Sequence, residues 1–192
     1  MSTKSFVFTG SGGQGVITAA IVIGEAAALH EGLNAVQTQV YGPEARGGAT
    51  RSDLIVSSDP IRYPKVINPQ VLVCLTQEAY NKFAPIVRPG GLLIADASFV
   101  STVRKADARQ IVLPMFETVK KELGKTMAFN ICMVGCVLAF TGIVSKDSVV
   151  KALTSRMPPA HLEMNLKALD LGIELAKDYG NSVAAGCGKT AS

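Results

Sequence analysis

The chain has 192 residues, 48% of them apolar and only 18% charged, with a net charge of +4. That length provides one full α/β domain and leaves little for a second. Lysines and arginines are scattered and aromatics make up 6%, so no basic run tracks a nucleic-acid backbone and few rings are present to stack bases.

Residues 5–9 form an apolar β-type run, and Gly10-Ser11-Gly12-Gly13-Gln14-Gly15 follows, opening a long Ala/Ile-rich helical run from Val16 to about Gly32. Strand, glycine turn and helix start in this order make an anion site, because glycines admit positive φ and let backbone N–H groups at the helix N-terminus approach a phosphate or another chain closely. The spacing satisfies G-x-G-x-x-G. A nicotinamide or flavin dinucleotide also needs an acidic residue about 20 positions on, at the end of the second strand, to hold ribose hydroxyls. The second strand, 33–40, ends in Gln37 and Gln39; Glu31 comes too early and Glu44 falls in the next loop. Three readings of the turn stand: a phosphate-facing or subunit-facing turn, a packing turn, and a stand-alone dinucleotide site.

The next stretch, Tyr41-Gly42-Pro43-Glu44-Ala45-Arg46-Gly47-Gly48, reads as a poor hairpin and a good exposed loop. In a parallel sheet it emerges on the same edge as the glycine turn, so the two are expected to form one composite surface. Further strands are expected at 49–56, 69–76, 92–96 and 110–114, with a helix over 77–87. Continuous apolar runs separated by crossovers predict a mainly parallel sheet covered on both faces. Helices are expected at 116–123, 128–144, 146–156 and 161–179, with Ser145 as an N-cap and Pro158-Pro159 as a breaker. The fold class is therefore α/β: a mainly parallel, doubly wound open sheet with a Rossmann-like start and a helical C-terminal part. Residues 1–180 read as one domain and 181–192 as a loose tail.

Cys74, Cys132 and Cys136 fall in apolar runs and read as buried small hydrophobes, and no C-x-x-C is present to build a zinc or iron–sulfur site. Cysteine usage and the missing secretory signal point to a reducing cytoplasm. Residues 127–144 are nearly uncharged but interrupted by Asn130, Gly135, Thr141 and Gly142, which favours a buried helix over a membrane span. Lys120, Lys121 and Lys125 form the most concentrated basic patch, for which a solvated helix face is the simpler explanation. His30 and His161 sit at expected helix ends without a catalytic pattern around them. The apolar excess predicts a sticky face, and with it a homodimer when the chain is isolated.

Residues 10–16 and 37–48, with Arg-Pro-Gly-Gly at 88–91 and the ending Asn165-Leu-Lys-Ala-Leu-Asp-Leu-Gly172, resemble in order the γ subunit of 2-oxoacid:ferredoxin oxidoreductases, nearer the 2-oxoglutarate and branched-chain types than the pyruvate type. The resemblance implies a complex that decarboxylates a 2-oxoacid on thiamine diphosphate with Mg²⁺, passes electrons through [4Fe–4S] clusters to ferredoxin, and hands the acyl group to coenzyme A. The chain lacks a thiamine motif and cluster cysteines, so it holds none of these cofactors alone and supplies no catalytic residue or metal ligand. Its implied partners are α and β subunits, with a ferredoxin-like δ subunit beyond them. On the same resemblance Gly12, Gly13, Gln14, Gly15 and Arg46 become candidates for coenzyme A phosphates. Tyr41, Glu44, Arg46, Gly47 and Gly48 become candidates for a subunit interface, and Arg46 is the best single cation because a guanidinium forks onto phosphate or carboxylate.

Overall fold

The computed structural model describes residues 3–40, 50–102 and 107–187. In chain order the elements are β1 (Lys4–Gly10), α1 (Val16–His30), β2 (Asn34–Val40), β3 (Thr50–Ser57), β4 (Val71–Cys74), α2 (Gln77–Phe83) with a 3-10 turn at Ala84–Ile86, β5 (Gly91–Asp96), β6 (Ala108–Leu113), α3 (Met115–Leu123), α4 (Phe129–Thr141), α5 (Lys146–Arg156) and α6 (Pro159–Cys187). The six strands form one sheet in the order β2-β3-β1-β4-β5-β6. β1, β4, β5 and β6 pair in parallel, while β3 runs antiparallel to both β1 and β2. The sheet is thus mainly parallel, with β3 alone reversed.

The reversal corrects one expectation. β2 and β3 pair along their whole length, from Asn34↔Ser57 to Val40↔Arg51, so 41–49 joins two antiparallel neighbours where the sequence suggested a poor hairpin. Its composition lacks a tight turn signal because the connection is long. α6 also differs, carrying the helix past the expected end at Tyr179 to Cys187.

Alternation along β1 and β3 divides the core. Phe6, Phe8, Leu54 and Val56 face one side, where α1 and α3 to α6 pack; Val7 and Ile55 face the other, under Tyr80, Ala84, Val87, Val66 and Val100. Both faces are covered, the first far more heavily. α4 is the centre of the larger layer, with Ile131, Cys132, Met133, Val134, Cys136 and Val137 wholly buried. It meets α6 at two glycines: a Cβ on Gly172 would overlap the Cys132 carbonyl and one on Gly135 the Leu169 carbonyl, so the helix backbones touch directly. Among the described residues no helix is long and apolar enough to cross a membrane.

On the smaller face, Arg51 grips Asp53 through Nε and a terminal nitrogen at 2.6 and 2.8 Å and donates to the Val66 carbonyl at 2.6 Å. Asp53 is 4% exposed, so this forked pair satisfies a buried carboxylate while pinning the loop that carries Val66 over the sheet.

Candidate functional site

The glycine turn is a braced structure at the C-terminal edge of the parallel strands. Thr9, near the end of β1, donates its hydroxyl to the Val73 carbonyl at 2.7 Å, and Leu75 N–H returns to the Thr9 carbonyl at 2.9 Å. Gln14 folds back over the turn: its Oε1 accepts from Ser11 N–H at 2.7 Å and its Nε2 donates to the Leu75 carbonyl at 3.2 Å. A Cβ at Gly10 would lie 2.5 Å from that Oε1, so Gly10 leaves the room in which Gln14 lies. Gln14 is therefore a strut between the turn and the end of β4.

Gly13 and Gly15 have φ of 88° and 72°, and Gly15 is the N-cap of α1. No side chain caps this helix and no acid lies in its first turn, so the positive end of α1 is left to whatever occupies the turn's open side. Gly12 and Gly13 have nothing within 4 Å of an added Cβ, which makes them the exposed lip. Two clefts flank that lip. One, of about 320 Å³, lies between Gly13–Gly15 and the start of α4 at Thr126, Met127, Phe129 and Asn130. The other, of about 410 Å³, lies between Ser11–Gly13, Val16–Thr18 and Thr50.

Gly10 pairs with Thr50 and Val40 with Arg51, so both ends of the 41–49 segment arrive on the edge that carries the turn. They reach it through an antiparallel pair instead of a parallel crossover. Tyr41, Glu44, Arg46, Gly47 and Gly48 themselves lie outside the described residues. Lys120, Lys121 and Lys125 are exposed, and Lys125 directly precedes the cleft residue Thr126. His30 and His161 are exposed at the end of α1 and the start of α6. Cys74, Cys132 and Cys136 are free and buried; burial pushes the Cys74 thiol up to about 12.

Two residues of this edge escaped the sequence reading. Asn130 packs against Gly15, where an added Cβ would come within 2.6 to 2.8 Å of its side chain; its only sequence signal is a lone amide at the start of an apolar helix. Asp96 ends β5 fully buried and accepts from Ser98 N–H and Phe116 N–H, each at 2.8 Å, so it holds the start of α3. Burial raises its carboxyl above the ordinary value, against the lowering effect of those hydrogen bonds. Its signal is a charge closing an otherwise apolar strand.

Comparison with known proteins agrees with this architecture. The model of the pyruvate ferredoxin/flavodoxin oxidoreductase family matches residues 5–175. The 2-oxoglutarate synthase subunit KorC of Methanocaldococcus jannaschii is 42% identical over 177 residues, covering 91% of this chain and 95% of that protein. The crystal structure of a keto/oxoacid ferredoxin oxidoreductase γ subunit from Geobacter sulfurreducens superposes with a TM-score of 0.83 at 37% identity, over 91% of this chain and 99% of that one. A 2-oxoglutarate:ferredoxin oxidoreductase from Magnetococcus marinus, solved with 2-oxoglutarate, coenzyme A and succinyl-CoA bound, shares the fold at a TM-score of 0.83 and 22% identity, over 93% of this chain and 32% of that one. The chain belongs to the pyruvate ferredoxin/flavodoxin oxidoreductase family, as an accessory subunit of a 2-oxoacid:ferredoxin oxidoreductase that is not catalytic alone. A stand-alone dinucleotide-binding protein is not favoured.

Proposed function

We propose that this chain is the γ subunit of a complex that oxidatively decarboxylates 2-oxoglutarate to its acyl-CoA, and that the Gly12–Gly15 turn and Arg46 contact coenzyme A phosphates where the subunits meet. The substrate rests on the 42% identity to a 2-oxoglutarate synthase subunit along nearly the whole of both chains. The ligand contact rests on the uncapped N-terminus of α1 behind an open glycine lip. Thiamine diphosphate and [4Fe–4S] clusters belong to the α, β and δ partners in this reading, since Cys74, Cys132 and Cys136 are sealed in the core. Ferredoxin is then met only through those partners. Tyr41, Glu44, Gly47 and Gly48 serve the adjoining subunit contact, and the complex works in the cytoplasm.

What the turn contributes is backbone N–H donors and the helix dipole, and Arg46 adds a full positive charge. Such a site favours a pyrophosphate over a neutral group and orients the coenzyme's thiol end toward the reacting acyl group on the partner chains.

Gly12→Asp tests this directly. Gly12 has an ordinary negative φ and open space around it, so the substitution leaves the fold intact while placing a carboxylate at the lip. In the reconstituted complex, viologen reduction should proceed with 2-oxoglutarate in preference to pyruvate or branched-chain 2-oxoacids. The KM for coenzyme A should rise roughly tenfold in Gly12→Asp, with the KM for 2-oxoglutarate unchanged. An unchanged KM for coenzyme A would remove the turn from the ligand site, and loss of co-purifying subunits would assign it to the interface instead.

A further inference from the structure

In a doubly wound sheet a ligand enters at the switch point, where two neighbouring parallel strands send their following helices to opposite faces. Here that point lies between β1 and β4: the two pair in parallel, α1 crosses to the heavier layer, and α2 goes to the lighter one with Tyr80. The crevice at their C-terminal ends is already filled. Gln14 lies in it half-buried, accepting from Ser11 N–H at 2.7 Å and donating to the Leu75 carbonyl at 3.2 Å. A Cβ on Gly10, the last residue of β1, would stand 2.5 Å from Gln14 Oε1, 3.2 Å from the Leu75 side chain and 3.3 Å from that of Val16, so three side chains share the space a nucleotide would need.

The same bridge governs what the turn presents outward. Both ends of the Gln14 amide are engaged by the protein, its oxygen by the turn and its nitrogen by the backbone just past β4. Gly12 and Gly13, by contrast, are exposed, and among the described residues no group accepts from their backbone N–H. The cleft of about 320 Å³ that Gln14 shares with the start of α4 has no titratable residue among those lining it, so the donors available to an anion on this side of the turn are those of the backbone and of neutral side chains.

We propose that Gln14 is a positioning residue for coenzyme A: its side chain closes the switch point and, by tying Ser11 to Leu75, holds the turn so that the phosphates meet the N–H groups of Gly12 and Gly13 on the outer lip without touching Gln14 itself. The inference rests on the coenzyme A reading of the turn. It also supplies a second physical reason, beyond the missing acid after β2, why G-x-G-x-x-G does not serve a dinucleotide here: the crevice is occupied by the chain's own amide.

Hydrogen exchange of the full chain without coenzyme A, and steady-state kinetics of the reconstituted complex, test it together on Gln14→Ala and Gln14→Glu. Without ligand, the Ser11 amide, which donates to Gln14 Oε1, should exchange roughly tenfold faster in Gln14→Ala than in the wild type. In the complex the KM for coenzyme A should rise by a similar factor while the KM for 2-oxoglutarate stays as it was. Gln14→Glu keeps an acceptor for Ser11, but its carboxylate has no proton to offer the Leu75 carbonyl and regains one when protonated. Both effects, taken as ratios to the wild type, should therefore diminish in that variant as pH falls from about 8 to about 5.5. A KM for coenzyme A that rises while the Ser11 amide exchanges as in the wild type overturns the proposal by making Gln14 a direct ligand contact. An unchanged KM overturns it as well: if Gly12→Asp still raises the KM, the positioning role fails alone, and if Gly12→Asp is silent too, the coenzyme A reading has failed with it.

Discussion

Gly15 combines a backbone requirement and a steric one. Its φ of 72° belongs to the left-handed region, and an added Cβ would strike the Asn130 side chain at 2.6 to 2.8 Å. The first costs a residue with a Cβ about 1 kcal/mol and the second adds overpacking of about 1–3 kcal/mol. Gly15→Ala should therefore lose about 2–4 kcal/mol in urea unfolding, and Gly15→Ala with Asn130→Gly should regain the steric part while keeping the backbone part. If the double variant is no more stable than the single, Asn130 is not the obstacle. The glycines of the turn were legible in the sequence because each departs from what a strand or helix tolerates. Gln14 was legible as part of the motif but not as a strut, since its acceptor at Leu75 lies just past β4, distant in sequence. Arg51 and Asp53 were overlooked for a related reason: two charges in a strand look like a solvated face until the loop bearing Val66 closes over them.

At the scale of elements, two carboxylates hold helix starts and respond to pH in opposite senses. Glu31, just beyond α1, accepts from the backbone N–H of Ser145, the N-cap of α5. Burial tends to raise its pKa, but the hydrogen bonds from Ser145 and Ser148 outweigh it and leave the group below its ordinary value. Its stabilising contribution is therefore full above the unfolded pKa and disappears as pH falls through the folded one. Asp96 stands above its ordinary value, so its ionised form is penalised in the fold, and the penalty is relieved as pH falls through the raised folded pKa. The stability difference between wild type and Glu31→Gln should shrink on acidification through the carboxylate range, whereas that between wild type and Asp96→Asn should shift toward the wild type. Denaturation series at several pH values would show it, and slopes of the same sign would refute it. Most element positions were readable from hydrophobic runs and caps, and α5 falls where its Ser145 cap and Lys146 start predict. The direction of β3 was not, because a buried strand looks the same in either sense and only the pairing with β1 distinguishes them.

For the molecule as a whole, glycine turn, crossover helix and apolar strands identified the α/β class, while the split between a heavy helical layer and a light one appeared only in three dimensions. The reversed strand leaves the residues that flank 41–49, Val40 and Thr50, on the glycine edge. The position of β1 has another consequence, one of timing. It leaves the ribosome before both of its partners, β3 and β4, and the register with β4 is complete only at Cys74. Until that residue emerges, Phe6, Val7 and Phe8 have nothing to close over one of their edges, and the α4 layer that seals Phe6 and Phe8 is synthesised later still. A fragment ending at Ser57 should accordingly lack cooperative thermal unfolding, and a folded one would contradict this order of assembly. The newborn chain carries the apolar centre of β1 only partly covered until α4 has emerged, a burden that falls on nascent-chain chaperones and on the speed of translation.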